Sequence, residues 1–331
     1  MTDSAAPPIG VLVMAHGTPS TTEGVEPFYT TIRRGRPPSP EQLSELVGRY
    51  DSIGGTSPLT ERTRAQVAGL ASALDDLAPG RFLVRFGAKY TAPSIEDGVA
   101  ELAAAGVRQV IGIVLTPHQS TLGSGQYFDR AAEAAAEASP PLELVSIASW
   151  HRAEGFARLL ADRVAVALDS VSRQEAGRTA VFFTAHSLPE SVVTEGDPYP
   201  SQVGESGADI ADLLELDNLP GVSWGVAWQS AGRTPDPWIG PDLLLEIRRV
   251  AQEGVASVVV CPVGFVSDHL EVLYDLDIEA AQVAESAGVY FARTASLNDD
   301  KEFVGLLASV VMAAVPSFEP SGSPSGSTIP A

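Results

Sequence analysis

Two apolar strands that end in the same dipeptide constrain this chain most. Residues 9–19 read I-G-V-L-V-M-A-H-G-T-P, and residues 179–189 read T-A-V-F-F-T-A-H-S-L-P. Each run has the length of a buried strand and ends in Ala-His before a turn, which puts His16 and His186 at strand carboxyl ends. Ligands of open α/β sheets bind outside those ends. The pattern therefore predicts two similar halves with one ligand cleft between them, lined by an imidazole from each half.

Short apolar strands alternate with Ala- and Leu-rich helical patterns along the whole chain. Strands are predicted at residues 9–15, 82–88, 109–115, 143–147, 179–184, 222–227, 256–262 and 288–292. Helices are predicted at residues 57–77, 95–105, 153–170, 203–214, 241–253 and 271–286. This alternation is typical of βαβ units, so we predict an α/β fold with parallel sheets flanked by helices.

A second pair of matching segments supports an internal duplication. Residues 108–122 resemble residues 256–270, since each is a buried strand followed by a polar loop that contains histidine. We predict an N-terminal domain over residues 1–165, completed by a C-terminal helix at 301–315, and a second domain over residues 166–300. Residues 168–178 are the predicted linker. The Pro-, Gly- and Ser-rich residues 316–331 are predicted to be a disordered tail.

Charge and cysteine content exclude several classes of protein. The formal net charge is −21, which argues against a nucleic-acid partner and an anionic membrane surface. The single cysteine, Cys261, allows neither an intramolecular disulfide nor a four-thiolate iron–sulfur cluster within the chain. The first residues lack the basic region of a signal peptide, and no apolar run approaches the roughly 20 residues of a membrane span. We expect a soluble cytoplasmic protein without stable membrane insertion.

A row of carboxylates follows one of the strands in the second half. The segment S-D-H-L-E-V-L-Y-D-L-D-I-E spaces Glu271, Asp275 and Glu279 four residues apart, on one helix face. Like charges at this spacing destabilise a helix slightly, so the row is either a solvated face or a functional feature. Because it starts just after a strand end, we predict that it passes a divalent cation or protons inward. His186 with Glu271 would be a nitrogen and oxygen pair suited to a transition metal ion, and His269 ranks below His186 as a ligand.

Arginines concentrate near the amino terminus of this acidic chain. The segment I-R-R-G-R-P contains Arg33, Arg34 and Arg36, and Arg49 follows in G-R-Y-D. A guanidinium group pairs carboxylates bidentately, so these residues predict a carboxylate-binding cluster, the alternative being a solubilising loop. Ser57, in G-G-T-S-P-L, is a plausible helix N-cap.

An aromatic loop follows another strand of the second half. The segment W-G-V-A-W-Q-S-A-G-R-T-P-D-P-W-I-G-P-D contains three of the four tryptophans, among them Trp228. Such a loop at a cleft mouth suits a flat apolar ligand, the alternative being packing in the core.

Together these stretches resemble the ferrochelatase family, specifically the soluble coproporphyrin ferrochelatases of Gram-positive bacteria. The matching motifs follow the family order over about residues 9–315: M-A-H-G-T-P, I-R-R-G-R, R-Y-D-S-I-G-G-T-S-P-L, H-S-L-P-E, G-D-P-Y-P, W-Q-S-A-G-R-T-P-D-P-W-I-G-P-D and P-V-G-F-V-S-D-H-L-E-V-L-Y-D. The resemblance implies two Rossmann-like domains of the class II chelatase type with the active-site cleft between them. It also implies insertion of Fe²⁺ into a porphyrin, preferably coproporphyrin III to give coproheme III, in heme biosynthesis.

The resemblance also implies roles for single residues. His186 and Glu271 match the metal-binding and proton-accepting pair, and Asp275 and Glu279 match a row that leads to a second, more exposed site for a divalent ion such as Mg²⁺. His16 stands where related bacterial enzymes usually carry tyrosine, so we expect it to face the metal from the opposite side of the ring and to contact the porphyrin. The remaining residues expected to bind the porphyrin and its propionates are Arg33, Arg34, Arg49, Ser57, Tyr127 and Trp228.

The chemistry expected of such a site is proton removal from a distorted ring. Inserting a metal requires pyrrole nitrogens to lose their protons, which a cleft that binds a puckered macrocycle favours. Neutral His186 would accept a proton, and Glu271 would bind the ion or relay the other proton. The alternatives are a protoporphyrin IX ferrochelatase, a cobalt or nickel chelatase of another tetrapyrrole, a non-catalytic heme- or porphyrin-binding protein, and a periplasmic-type solute binder. We expect no prosthetic group, a monomer, and at most transient contact with neighbouring heme-pathway enzymes.

Overall fold

The chain folds around two parallel sheets. The computed structural model describes residues 7–174, 177–232 and 236–315, together with the backbone of residues 329–330. In the first sheet the strands are β1 (Ile9–Ala15), β2 (Phe82–Ala88), β3 (Gln109–Val114) and β4 (Glu143–Ser149), in the order β2-β1-β3-β4. The second sheet contains β5 (Arg178–His186), β6 (Val222–Gln229), β7 (Val255–Cys261) and β8 (Tyr290–Arg293), in the order β6-β5-β7-β8. Residues 329–330 pair with the outer edge of β4.

Helices connect the strands and cover the sheets. Those of the first half are α1 (Val25–Ile32), α2 (Pro40–Ser52), α3 (Leu59–Leu77), α4 (Ile95–Ala104) and α5 (Gln126–Glu137). Those that follow are α6 (Phe156–Gln174), α7 (Ser191–Thr194), α8 (Tyr199–Leu213), α9 (Leu243–Gln252), α10 (Leu270–Leu273), α11 (Ala281–Ser286) and α12 (Lys301–Ala314). Two π-helices, Thr121–Gly125 and Asp275–Ala280, precede α5 and α11, and short 3₁₀ turns lie at Thr22–Gly24 and Leu216–Asn218.

The two sheets repeat one arrangement, as the duplicated motifs predict. In each sheet the strand that ends in Ala-His, β1 or β5, lies between the strand that follows it and the next one along the chain. A π-helix follows the loop after β3, and another follows the loop and short α10 after β7. The prediction of an α/β fold with two parallel sheets flanked by helices is therefore confirmed.

One hydrophobic core extends across both halves. Its largest cluster combines Val11 and Ile113 of the first sheet with Phe183 and Val259 of the second and with Phe303 of α12. Since these side chains are buried in a single contiguous cluster, the two sheets share apolar packing, and the relative position of β1 and β5 is set by it.

The predicted domain limits need correction at the junction. Helix α6 continues to Gln174 and so runs through the predicted boundary at 165/166 and through most of the predicted linker, residues 168–178. Its apolar face is buried along its length, which makes this segment part of the core rather than a flexible connection. Helix α12 forms where residues 301–315 were predicted helical, and it packs against α3 and α6.

Two further predictions concern the C-terminal tail and membrane-spanning helices. The predicted disordered tail at 316–331 lies outside the described residues except for the paired backbone of residues 329–330. Within the described part of the chain, no helix is long and apolar enough to cross a bilayer.

Candidate active site

The facing pair of His186 and Glu271 forms the centre of the site. His186 is the last residue of β5, and Glu271 lies in the first turn of α10. The Nδ1–H group of His186 donates to the carbonyl of Ser187, which directs Nε2 towards Glu271. The distance from Nε2 to Glu271 Oε1 is 3.4 Å, and the two side chains are 31% and 39% exposed. The pair thus faces open space at the carboxyl end of the central strand, where an ion can reach both groups.

Electrostatics make this pair an ion pair. Burial opposes the charged form of His186, but the Glu271 carboxylate outweighs burial and raises the pKa of the imidazole to about 9. Burial likewise disfavours charged Glu271, yet the His186 imidazolium lowers the pKa of that carboxyl to about 2. These pKa shifts favour a protonated His186 in the metal-free protein, in contrast to the neutral imidazole expected from the sequence. An arriving dication would have to repel the imidazole proton before Nε2 can bind or act as a base.

His269 orients the helix that carries Glu271. It is the N-cap residue of α10, and its Nδ1 accepts a hydrogen bond from the Glu271 N–H at 3.1 Å. Burial lowers the pKa of His269 to about 4, so the ring stays neutral and keeps the acceptor lone pair. The ring also packs on Phe265, with centroids 4.7 Å apart. The low ranking of His269 as a ligand thus has a physical reason, because its coordinating nitrogen is already used.

The acidic row continues from Glu271 into the second π-helix. It borders a pocket of about 230 Å³, lined by Arg49, Gln229, Ser230, Ala231, Asp242, Leu243, Leu244, Glu271, Asp275 and Glu279. Asp275 is buried; its Oδ1 lies 3.4 Å from Nη1 of Arg49 and its Oδ2 accepts a hydrogen bond from Ser230. Burial, and then the charge of Glu271, raise the pKa of Asp275 to about 7. All three carboxylates of the predicted row therefore face one polar pocket.

His16 lies at the carboxyl end of β1, in the position that matches His186. Its Nδ1–H group donates to the carbonyl of Gly17 at 2.9 Å, which leaves the Nε2 lone pair available. The ring packs against Tyr90 and Phe28, with centroid distances of 4.7 and 5.9 Å. Burial lowers the pKa of His16, and both Glu271 and His186 influence it electrostatically. Both predicted histidines thus belong to one electrostatic unit.

Gly17 permits the turn that follows His16. Its φ is +82°, and a Cβ atom there would lie 2.3 Å from Oγ1 of Thr91. Any larger residue would clash and strain the backbone, so glycine is required for His16 to point away from the sheet.

A positively charged surface that the sequence analysis missed lies beside His16. It is formed by Lys89 and Arg34, and we call it the cationic wall. Lys89, directly after β2, holds its amine 5.2 and 4.8 Å from the ring centroids of Tyr90 and Tyr127. Burial, followed by the charges of Arg130 and Arg34, lowers the pKa of Lys89 to about 8. Arg130 is neutralised by Glu96 at 2.6 Å. Lys89 makes no ion pair with another described residue. The signal available in the sequence was a Lys-Tyr pair at the end of a strand.

The predicted porphyrin contacts are only partly brought together. Arg34 is exposed, with φ +57°, and lies close enough to Lys89 and Tyr90 to influence their pKa values. The guanidinium of Arg33 lies 5.5 Å from the ring centroid of Tyr29. Tyr127 is buried, and burial raises the pKa of its phenol.

Two other predicted contacts lie elsewhere. Arg49 pairs with Glu45 and Asp275 and so belongs to the acidic pocket rather than to the arginine cluster. Ser57 is buried, and its Oγ accepts from the Leu59 N–H at 3.3 Å, although Pro58 is the N-cap of α3.

The proposed ligand contact of Trp228 needs correction. Trp228 is 4% exposed and packs in the core against Tyr199, with centroids 5.6 Å apart. It lies within β6, where its side chain points between the layers, so it offers no surface to a ligand. The indole beside the site is that of Trp238, whose ring centroid is 6.5 Å from that of His186.

The described residues do not form a closed metal site. No group of three or more His, Cys, Asp and Glu side chains among them is arranged to hold an ion without other ligands. His186 and Glu271 therefore offer an ion two ligands, one nitrogen and one oxygen.

Comparison with known proteins agrees with this geometry. The ferrochelatase family model matches residues 8–315. The chain is 42% identical over 307 residues to the coproporphyrin III ferrochelatase of Anoxybacillus flavithermus, covering 92% of this chain and 95% of that protein. It is 41% identical over 301 residues to the ferrochelatase of Herpetosiphon aurantiacus, covering 91% and 97%.

A solved structure supports the fold alone. SirB from Bacillus subtilis with Fe³⁺ aligns with a TM-score of 0.55 at 11% identity, covering 94% of this chain and 97% of that one. The repeated sheets, the histidines at matching strand ends and the family match over residues 8–315 lead to one conclusion: this chain belongs to the ferrochelatase family.

Proposed function

We propose that this ferrochelatase inserts Fe²⁺ into coproporphyrin III and yields coproheme III. The observation that carries the proposal is the pair of His186 and Glu271, 3.4 Å apart, at the strand end that matches the one bearing His16. The name of the Anoxybacillus flavithermus relative supports the choice of porphyrin. A macrocycle bound between the two histidines would present its pyrrole nitrogens to the His186 side.

The carboxylates of the porphyrin would be held by the cationic wall. Lys89 and Arg34 carry positive charge that no ion pair among the described residues neutralises, next to Tyr127 and Tyr90. Charge-assisted hydrogen bonds from cations to carboxylates are strong, and this wall lies on the His16 side. Four carboxylates on coproporphyrin make better use of several cations than the two of protoporphyrin. The wall orients the ring and does not take part in proton transfer.

The ion would arrive from the opposite side, along the acidic row. Glu279 and Asp275 border the pocket that ends at Glu271, and their charges attract a divalent cation. As Fe²⁺ binds Glu271, its charge drives the Nε2 proton of His186 to solvent and leaves that nitrogen free. The neutral imidazole then accepts one pyrrole proton, and Glu271 relays the other towards Asp275, whose pKa of about 7 suits proton exchange. Two pyrrole protons leave as one dication enters, which balances the charge of the ring.

The outer part of the same pocket is our proposed site for a second divalent ion such as Mg²⁺. Glu279 and Asp275 supply oxygen ligands of the kind that hard cations prefer. A cytoplasmic location and a monomeric state are further parts of the proposal. So is the absence of a nucleic-acid partner, which the net charge of −21 supports.

The test is metal insertion by the purified protein, with Fe²⁺ under anaerobic conditions and coproporphyrin III beside protoporphyrin IX. We expect faster metalloporphyrin formation with coproporphyrin, and a loss of about 100-fold or more in His186→Ala and Glu271→Gln, as removal of a general base predicts. Faster turnover of protoporphyrin IX would contradict the assignment of coproporphyrin III as the substrate. Tight porphyrin binding without turnover for Fe²⁺, Co²⁺ or Ni²⁺ would instead identify a porphyrin carrier.

A further inference from the structure

Gln229 connects the strand of His186 to the helix of Glu271. It is the last residue of β6 and is buried. Its side-chain Oε1 accepts a hydrogen bond from the hydroxyl of Thr184 at 2.8 Å, and its Nε2 donates to the main-chain carbonyl of Glu271 at 3.1 Å. Its own carbonyl accepts from the N–H of Ser187 at 2.7 Å. Gln229 thus links the helix of Glu271 through its side chain to β5, the strand that ends at His186, and its main chain bonds the residue after His186.

The next residue holds the next carboxylate of the row. Ser230 has φ +59°, the left-handed region that residues with a side chain rarely adopt. In an extended strand, successive side chains point to opposite faces. The left-handed turn breaks this alternation and allows Ser230 Oγ to donate to Asp275 Oδ2 at 2.5 Å, while Gln229 reaches Glu271. Neighbouring residues therefore bind consecutive turns of one helical segment.

That helical segment depends on contacts from outside. Helix α10 has four residues, and the chain changes to a π-helix at Asp275. A single helical turn is not stable by itself, because nucleation fixes several backbone angles for one hydrogen bond. The N-cap of His269 orients its start. The segment continues through the π-helix into α11, and Val272 and Leu276 pack in the core of the second sheet. Gln229 and Ser230 add the polar contacts that position its first turns relative to β6.

We propose that Gln229 is a positioning residue for metal insertion. Its hydrogen bond to the main-chain carbonyl of Glu271 keeps the Glu271 carboxylate next to His186. The hydrogen bond of Ser230 fixes Asp275 in the same way. This inference rests on the proposed function. Without the amide of Gln229, α10 would move relative to β5. The ion could then no longer contact the imidazole of His186 and the carboxylate of Glu271 at the same time. Lys89 and Arg34 follow β2 and α1 of the first half and make no contact with Gln229 or α10, so porphyrin binding would be unaffected.

Thr184 provides the control that separates positioning from direct contact with the ion. Its side chain is fully buried in β5 and cannot touch porphyrin or metal. Its hydroxyl fixes which end of the Gln229 amide faces Glu271. Thr184→Val removes that hydroxyl at nearly constant shape, and Thr184→Ser keeps it.

The experiment compares wild type, Gln229→Leu, Thr184→Val and Thr184→Ser. We expect Gln229→Leu to lower kcat for Fe²⁺ insertion about 10- to 100-fold, the usual effect of removing a group that orients a ligand. Porphyrin Kd, from fluorescence quenching, should change less than about twofold, because the cationic wall is intact. Thr184→Val should also lower kcat, whereas Thr184→Ser should keep kcat close to the wild-type value.

Crystal structures of wild type and Gln229→Leu without metal or porphyrin complete the test. We expect the distance from Glu271 to His186 Nε2 to exceed about 4 Å in the variant, beyond the range of an ion pair. An unchanged distance overturns the proposal, as does a loss of kcat in Gln229→Leu with none in Thr184→Val, which would indicate direct contact with the ion. Because the structures need no turnover, a wild type that inserts no metal would overturn the proposed function alone.

Discussion

At the scale of single residues, the ion pair of His186 and Glu271 gives the site its pH dependence. The pKa of His186 is raised above 6.5 to about 9, so its stabilising contribution is complete below pH 6.5 and is lost as the pH rises through 9. The pKa of Glu271 is lowered from 4.5 to about 2, so its contribution is present above pH 4.5 and is lost as the pH falls through 2. The pair therefore stabilises the fold most between pH 4.5 and 6.5.

Glu271→Gln should remove this coupling. Burial then dominates at His186, and we expect its pKa to fall from about 9 to 6.5 or below. An NMR titration of the imidazole C–H signals measures this directly. The difference in Tm between wild type and variant should be largest between pH 4.5 and 6.5 and should shrink by pH 9. A His186 pKa that stays near 9 in the variant would mean that another group protonates the ring.

Arg34→Ala should weaken porphyrin binding more than metal binding. Arg34 is exposed and faces Lys89 and Tyr90 rather than the acidic row. Loss of one charge-assisted hydrogen bond predicts about a three- to tenfold rise in coproporphyrin Kd, decreasing with added salt. Fluorescence quenching gives this Kd, and calorimetry with Co²⁺ gives the metal affinity. Arg158→Ala, an exposed change on α6, is the matched control. Equal losses for porphyrin and metal would contradict the assignment.

The positions of most site residues could be predicted from motifs, and the exceptions have physical reasons. His16, His186 and Glu271 end or follow strands, so topology alone predicts that their side chains converge. The protonation of His186 could not be predicted, because it depends on a 3.4 Å distance between segments far apart in sequence. Trp228 was wrongly predicted to contact the ligand. Both faces of a parallel strand are covered by helices, so its sequence does not show which face a side chain lies on.

At the scale of secondary structure, the second π-helix determines where the acidic row points. A π-helix within an α-helical segment changes the angle between successive residues, and such segments are frequent at functional sites. Here it buries Asp275 beside Arg49 and Ser230 while Glu271 stays accessible. The four-residue spacing of carboxylates was visible in the sequence. The π-helix was not, since no residue pattern marks the change in hydrogen bonding.

Asp275→Asn should stabilise the fold above neutral pH. The pKa of Asp275 is raised from 3.8 to about 7, so ionising the buried carboxyl costs stability as the pH rises between these values. Asparagine keeps an acceptor for Ser230 and carries no charge. We expect a Tm about 2 °C or more above wild type at pH 8, with the difference vanishing near pH 4, in thermal scans without divalent ions. A lower Tm at pH 8 would show that the ion pair with Arg49 outweighs burial.

At the scale of the whole molecule, contacts between the halves hold the cleft in one shape. His118 Nε2 and Ser206 Oγ are 2.9 Å apart, and the Thr121 N–H donates to Asp197 at 2.6 Å. On another side of the molecule, Gln66 donates to Ser267 at 2.8 Å. These bonds join the β3 and α3 regions to the second half. Together with the shared core they make the halves one cooperative body.

The two halves should therefore unfold together, and the tryptophans can test this. Trp150 is fully buried in the shared core next to Phe156 and Phe303, whereas Trp224 lies on β6 of the second sheet. Variants that keep only Trp150 or only Trp224, with phenylalanine at the other tryptophans, report each half separately. Because the apolar cluster spans both sheets, we expect the urea midpoint from fluorescence to match that from far-UV circular dichroism within each variant. A Trp150 midpoint that departs from the circular dichroism midpoint would mean that the halves unfold in separate steps and that the shared core does not couple them.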